Sequence, residues 1–172
     1  MISLSSVVGN IIRDKKLHQE YLELCQQGKC EKIILSRLEM QRSRIRKTTD
    51  KGTDVGLVFE PDVRLRNGDV VYKTNDRIIV LELEPEKVAV LTFSRDDATD
   101  DEAFKVAVEI GHAIGNLHRP IMINGEKIFV PIQAESELEL LRKIFTPIID
   151  HVTITRKRMA FEAEEGMHTH EH

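Results

Sequence analysis

Short apolar runs broken by turn signals fill the first half of the chain, and a sustained helical period enters only beyond residue 99. Residues 7–12, 32–38, 54–60, 69–73 and 78–84 read as strands, with Asn67-Gly68-Asp69 as a turn between two of them. Residues 17–27 carry a weak helical period that fits a short helix or a loop. After residue 87 the pattern switches: a strand at 88–93, then Thr99-Asp100-Asp101-Glu102 as a capping box opening a helix over 100–114. Gly115 or Asn116 closes that helix in a left-handed cap, and Pro120 forces an extended exit. A strand at 119–123 turns at Asn124-Gly125 into a second at 127–132. Ser136-Glu137-Leu138-Glu139 is a second capping box, opening a helix with Leu138, Leu141 and Phe145 inward until Pro147, and 150–156 supplies the last strand. The expected fold is therefore α+β with two domains: a small all-β domain at 1–78, a ferredoxin-like β-α-β-β-α-β domain at 79–157, and a flexible histidine-containing tail at 158–172. In the helix of the second domain, Phe104, Ala107, Val108, Gly111 and Ile114 form an apolar stripe read as the core face, with Lys105, Glu109, His112 and Asn116 opposite.

Composition narrows the class without naming a chemistry. Hydrophobic residues make up 41% and charged residues 31% of the 172 positions, the balance of a soluble globular protein. No apolar run approaches the roughly 20 residues that cross a bilayer, and the N-terminus lacks a signal-peptide block, so a cytoplasmic, membrane-free protein is expected. Cys25 and Cys30 stand alone as C-x4-C with no second pair, which does not support a zinc finger and suggests free thiols in a reducing compartment. Charge is unevenly divided. Residues 1–78 hold 15 Lys/Arg against 11 Asp/Glu, whereas residues 79–172 hold 10 against 18. An acidic, histidine-bearing half suits a cation and repels nucleic acid, while the basic half is open to an acidic protein partner.

The histidines carry the candidate chemistry. His112 and His118 lie six apart, and each residue turns a helix by about 100°, so on an unbroken helix they would point roughly 240° apart. A break at Gly115 would let the loop bearing His118 fold back toward the helix end, or face the same loop of a second subunit. Neutral imidazole is the commonest ligand for borderline divalent cations, and the negative end of the helix dipole favours a cation there. The plain alternative is two polar surface residues placed by that dipole alone. His168, His170 and His172 alternate in the last five residues, so an extended tail brings them to one side. The interruptions at Thr169 and Glu171 argue against a purification tag. Arg42, Arg44 and Arg46 alternate likewise along an expected extended segment, which is either a solvated strand face or a docking surface for carboxylates.

Several of these segments together resemble one family, the urease accessory protein UreE, a nickel metallochaperone. Val7-Val8-Gly9-Asn10-Ile11, Arg42-Ser43-Arg44-Ile45-Arg46, Asp54-Val55-Gly56-Leu57, Leu65-Arg66-Asn67-Gly68-Asp69, Glu84-Pro85-Glu86-Lys87-Val88 and residues 111–120 carry the likeness in order and spacing across nearly the whole chain. The resemblance implies a homodimer in which His118 meets its symmetry mate to hold Ni2+; copper binds imidazole sites more tightly and zinc comparably, so either can substitute. It further implies that the tail histidines add ligands, and that the N-terminal domain contacts partners, the urease apoprotein complex and the urease accessory GTPase. Two departures stand out: Leu117 where many members carry a polar residue, and a tail short beside their long histidine runs. Two other readings compete. A zinc hydrolase would use His112 and His118 as ligands and Glu109 as base, but it needs a third fixed ligand for which His151 is the remaining candidate outside the tail. A peptide-binding module using the arginine strand would leave both histidine groups unexplained.

Overall fold

Local capping decides much of the first unit. In the computed structural model, which describes residues 1–94 and 99–163, the chain divides into Met1–Glu84 and Pro85–His172. The first unit runs β1 (Ile2–Leu4), β2 (Gly9–Asn10), α1 (Lys15–Gln26), β3 (Cys30–Leu35), α2 (Arg37–Met40), β4 (Arg44–Thr48), β5 (Asp54–Val58), β6 (Asp69–Lys73) and β7 (Ile78–Leu83). The weak period after residue 14 is a helix, because the Asp14 carboxylate caps it by accepting from the Lys16 and Leu17 amides. Its buried Leu17 and Leu24 and half-buried Tyr21 recur at helical spacing and pack on Val70, Ile78 and Val80. The unit is therefore not all-β. Residues 36–40 likewise leave the expected strand at Leu35, where Ser36 and Glu39 form a reciprocal capping box.

Two sheets build this unit, ordered β1-β5-β4 and β2-β6-β7-β3. β7 pairs with β3 in parallel and with β6 antiparallel, so residues 78–83 belong to the first unit and the division falls after Glu84, not after residue 78. The asparagine-rich turn before β6 is a fixed node. Asn10 Nδ2 donates to the Asn67 carbonyl and to Asp69, the Arg66 amide donates to Asp69, and Asn67 Oδ1 accepts from the Leu83 amide. Gly68 sits at φ 83, and a Cβ there would meet the Ile12 side chain at 2.8 Å, so both conformation and space require glycine. Cys25 and Cys30 are not free thiols: the turn between α1 and β3 brings their Cα atoms to 4.7 Å, and the two sulfurs are paired as a disulfide.

The second unit runs β8 (Glu86–Phe93), α3 (Asp100–Asn116), β9 (Met122–Asn124), β10 (Lys127–Pro131), α4 (Glu135–Ile144), a 3-10 turn at Thr146–Ile148 and β11 (Val152–Met159). Its four strands form one antiparallel sheet ordered β11-β8-β10-β9. Both helices lie on one face of it, where Val106, Ile110, Ile114, Leu138, Leu141 and Phe145 close over Leu91, Val130 and Ile154. Phe161, fully buried, covers the other face beside Val88, Val90 and Phe129. The β9–β10 loop is Gly125-Glu126 with Gly125 at φ 60, the first-position glycine of a type II′ turn, so Asn124 ends the strand and is not itself in the turn. The Thr99 capping box forms as expected. The Ser136 box does not: α4 is capped two residues earlier, at Ala134, which offers no side-chain acceptor, and Glu139 pairs with Arg142.

Candidate metal centre

The end of α3 differs from its sequence-based outline in a way that defines the site. The helix does not break at Gly115 but continues through Asn116, with Leu117 as its C-cap. The left-handed residue is His118 itself, at φ 49, the one non-glycine residue with positive φ among those described. Its amide donates to the Gly115 carbonyl at 3.0 Å, closing the last turn. A left-handed residue just beyond the cap turns the chain sharply, which leaves the His118 side chain exposed at the helix terminus.

The segment leaving this turn is anchored on its far side. Arg119 Nη2 donates to Glu137 Oε1 at 2.8 Å, and the other oxygen of Glu137 accepts from the Gln133 amide at 2.9 Å. Leu117 is half-buried against the core of helices and sheet. Rigid neighbours therefore flank an exposed imidazole. Arg119 and Glu137 went unnoticed in sequence because their partnership spans a strand hairpin, although Arg119 directly follows the candidate ligand.

His112 is exposed as expected, and its Nε2 lies 3.1 Å from Asn116 Nδ2, one turn along the helix. This contact suits a ring whose Nε2 accepts. His112 and His118 are not gathered into a common group with a third donor. Among the described residues no cluster of three or more His, Cys, Asp or Glu side chains is placed to hold a metal. His151 is half-buried in the turn before β11. His168, His170 and His172 lie outside the described residues.

Of the apolar stripe expected to face the core, Ile114 alone is buried. Phe104 and Val108 are 73% and 54% exposed, and Ala107 and Gly111 also face solvent, whereas Val106, Ile110 and Ile114 are buried with Ala113 and Leu117 packed beside them. Both sets have helical spacing. Only the fit against the sheet distinguishes them. Among the described residues nothing beyond the helix itself comes within 4 Å of where a Cβ would stand on Gly111 or Gly115, so none of them covers the surface along Phe104, Val108, Gly111 and Gly115, which His112 borders.

The three arginines are also sorted by the structure. Arg42 lies in the turn after α2, while Arg44 and Arg46 are exposed on β4. Arg46 forms a forked pair with Asp54, both contacts at 3.0 Å, which holds the Asp54 carboxyl below its ordinary range and lifts the guanidinium further. Among the described residues, Arg42 and Arg44 have no side-chain ion-pair partner.

Comparison with known proteins supplies the remaining evidence. Residues 7–84 match the family described as UreE urease accessory protein, N-terminal domain. The chain is 33% identical over 138 residues to the urease accessory protein UreE of Natronomonas pharaonis, a match covering 80% of this chain and 63% of that protein. It is 32% identical over 140 residues to the UreE of Yersinia aldovae, covering 77% and 57%, and 31% identical over 136 residues to that of Yersinia enterocolitica, covering 77% and 57%. The chain thus spans about three-fifths of the length of these relatives.

Proposed function

Through residues 7–84 and its similarity over four-fifths of its length, the chain belongs to the UreE family of urease accessory proteins, and on that premise we propose that it carries Ni2+ to urease during assembly of the urease active site. It is an accessory metallochaperone and not an enzyme. Its β-α-β-β-α-β second unit is read as a ferredoxin-like metal-binding domain, and its first unit as the domain that contacts the urease apoprotein complex and the urease accessory GTPase in the cytoplasm. No helix among the described residues is long and apolar enough to cross a membrane.

The observation that carries this reading is His118, exposed and left-handed at the end of α3, beside an open apolar surface. One imidazole binds a divalent cation weakly. Two-fold association through the α3 surface would bring two copies of His118 to one axis, because an isologous interface repeats every residue. His112 and the histidines at 168, 170 and 172 would complete the shell. Nickel is here the cargo: ligands shared across a seam bind it, and separation of any one of them releases it. Zinc and copper also favour imidazole, so selection among them rests on supply as much as on the site. Imidazole must lose its proton to bind, so affinity should fall on acidification.

The test is calorimetric titration with nickel, with molecular mass followed by light scattering. His118→Ala should abolish the tightest binding step while the fold survives, since the side chain is exposed. An undiminished first step would remove His118 from the site. A zinc hydrolase is disfavoured because it needs three fixed protein ligands, and the described residues present no such group.

A further inference from the structure

We propose that β4 is a docking edge for an extended acidic segment of a partner protein, which joins the β1-β5-β4 sheet as a fourth strand. This rests on the reading of the first unit as the partner-contacting domain and names the chemistry of what it takes. Among the described residues the sheet order gives β4 a neighbouring strand on one side only. Which backbone groups point to the empty side follows from the pairing. Phe59 donates its amide to the Ser43 carbonyl and Thr49 donates to the Thr53 carbonyl, so the odd-numbered residues 43 to 49 bond inward to β5. Arg44, Arg46 and Thr48 therefore turn both N–H and C=O outward. That is a ladder template with alternate donors and acceptors.

The side chains select what uses it. Arg44, Arg46 and Thr48 all project to the exposed face. Arg46 is already neutralised by Asp54, whereas among the described residues no carboxylate pairs with Arg44 or with Arg42 just before it. Edge cations ordinarily discourage strand addition, and here they do so against a second copy, since antiparallel pairing of β4 with itself would set arginine against arginine. The same charges favour a strand bearing Glu or Asp at alternate positions, whose carboxylates would stand across from Arg44 and extend the forked pattern already present at Arg46. A phosphate polymer does not fit, because it offers acceptors but no donors for the outward carbonyls. The surrounding charge agrees: residues 1–78 are the net-basic part of the chain.

The probe is a fluorescein-labelled acetyl-(Val-Glu)4-amide peptide, with acetyl-(Val-Lys)4-amide as control, read by anisotropy on the full chain. The acidic peptide should bind, weaken with added salt, and protect the Arg44, Arg46 and Thr48 amides from hydrogen exchange, while the basic one should not bind. Arg44→Ser should weaken binding about tenfold by removing charge alone. Thr48→Pro should weaken it as much by removing one outward donor alone, since proline is tolerated where the amide faces away from the sheet. Absence of acidic-peptide binding overturns the proposal. So does binding that Thr48→Pro leaves intact together with unprotected β4 amides in the wild-type chain, which would mean charge attraction without strand addition. The exchange measurement needs no variant and decides the matter even if Thr48→Pro misfolds. Nickel titration of Arg44→Ser should match wild type, so failure here and failure of the nickel reading are separable.

Discussion

At φ 49, His118 occupies the helix-terminal position where glycine is the usual residue, and a side chain there carries a backbone cost that glycine avoids. The cost is explained if the imidazole is needed where the turn places it. His118→Gly should accordingly be about 0.5–1 kcal/mol more stable than His118→Ala in urea denaturation, although both should lose tight nickel binding. Equal stabilities would mean that the left-handed turn is not held in solution. A second residue-scale prediction concerns Glu31, only 8% exposed. Burial pushes its carboxyl up, but hydrogen bonds from Thr49 and Thr53 and the Arg77 guanidinium together outweigh burial and hold it below its ordinary value of 4.5. Thr49 Oγ1 lies 2.6 Å from one oxygen and Arg77 Nε 2.7 Å from the other. With the folded value depressed, the stabilisation is fully present above about pH 4.5 and is lost as pH falls through the lower folded value. Arg77→Met should cost about 3 kcal/mol at pH 7, because it leaves a buried carboxylate without its cation, and should flatten the acid limb of stability against pH. An unchanged limb would show that other carboxylates set it.

Elements were legible in sequence where the signal was local, and not where two faces competed. The Thr99 box fixed the start of α3 because both partners of a capping box lie within four residues. The β8 and β10 strands were legible from continuous apolar runs, and the order of elements in the second unit followed. A local signal is still ambiguous where it sits inside another pattern: the Ser36–Glu39 box of α2 lies within an apolar run that reads as strand, β1 is only three residues long, and Ser136 falls inside α4 instead of capping it. For α3 the sequence holds two apolar stripes, and no local rule ranks Val106-Ile110-Ile114 above Phe104-Val108-Gly111. The sheet takes one. The other is therefore free to take a second copy, and the spacing from Phe104 through Val108 and Gly111 to Gly115 is the 4-3-4 spacing of a helix-helix seam. Phe104→Glu should dissociate the proposed dimer in sedimentation while leaving the monomer within about 0.5 kcal/mol of wild type, since the side chain packs on little of its own unit. It should also remove the tightest nickel step without touching a ligand. A dimer that persists with nickel binding intact would place the two-fold axis elsewhere.

On the scale of the molecule, the two units carry opposite charge: residues 1–84 hold 15 Lys/Arg against 13 Asp/Glu, and residues 85–172 hold 10 against 16. The candidate metal ligands all belong to the acidic unit and the arginines to the basic one, so binding of cargo and recognition of partners should be separable by mutation. Replacing Arg42, Arg44 and Arg46 by Ser should barely alter melting, because all three are exposed, and should leave every nickel-binding step intact. Removing residues 168–172 should lower nickel capacity or affinity while leaving one ion bound per proposed dimer, because the truncation leaves both copies of His118 in place. In the combined variant the two losses should simply add, as they do for independent sites without shared partners. The measurements are calorimetry for nickel and pull-down of the urease accessory GTPase for partner contact, on all three variants. A fall in nickel affinity from the arginine change, or a loss of GTPase capture from the truncation when no nickel is present, would show that the two units work through one another, and the separation inferred from charge would fail.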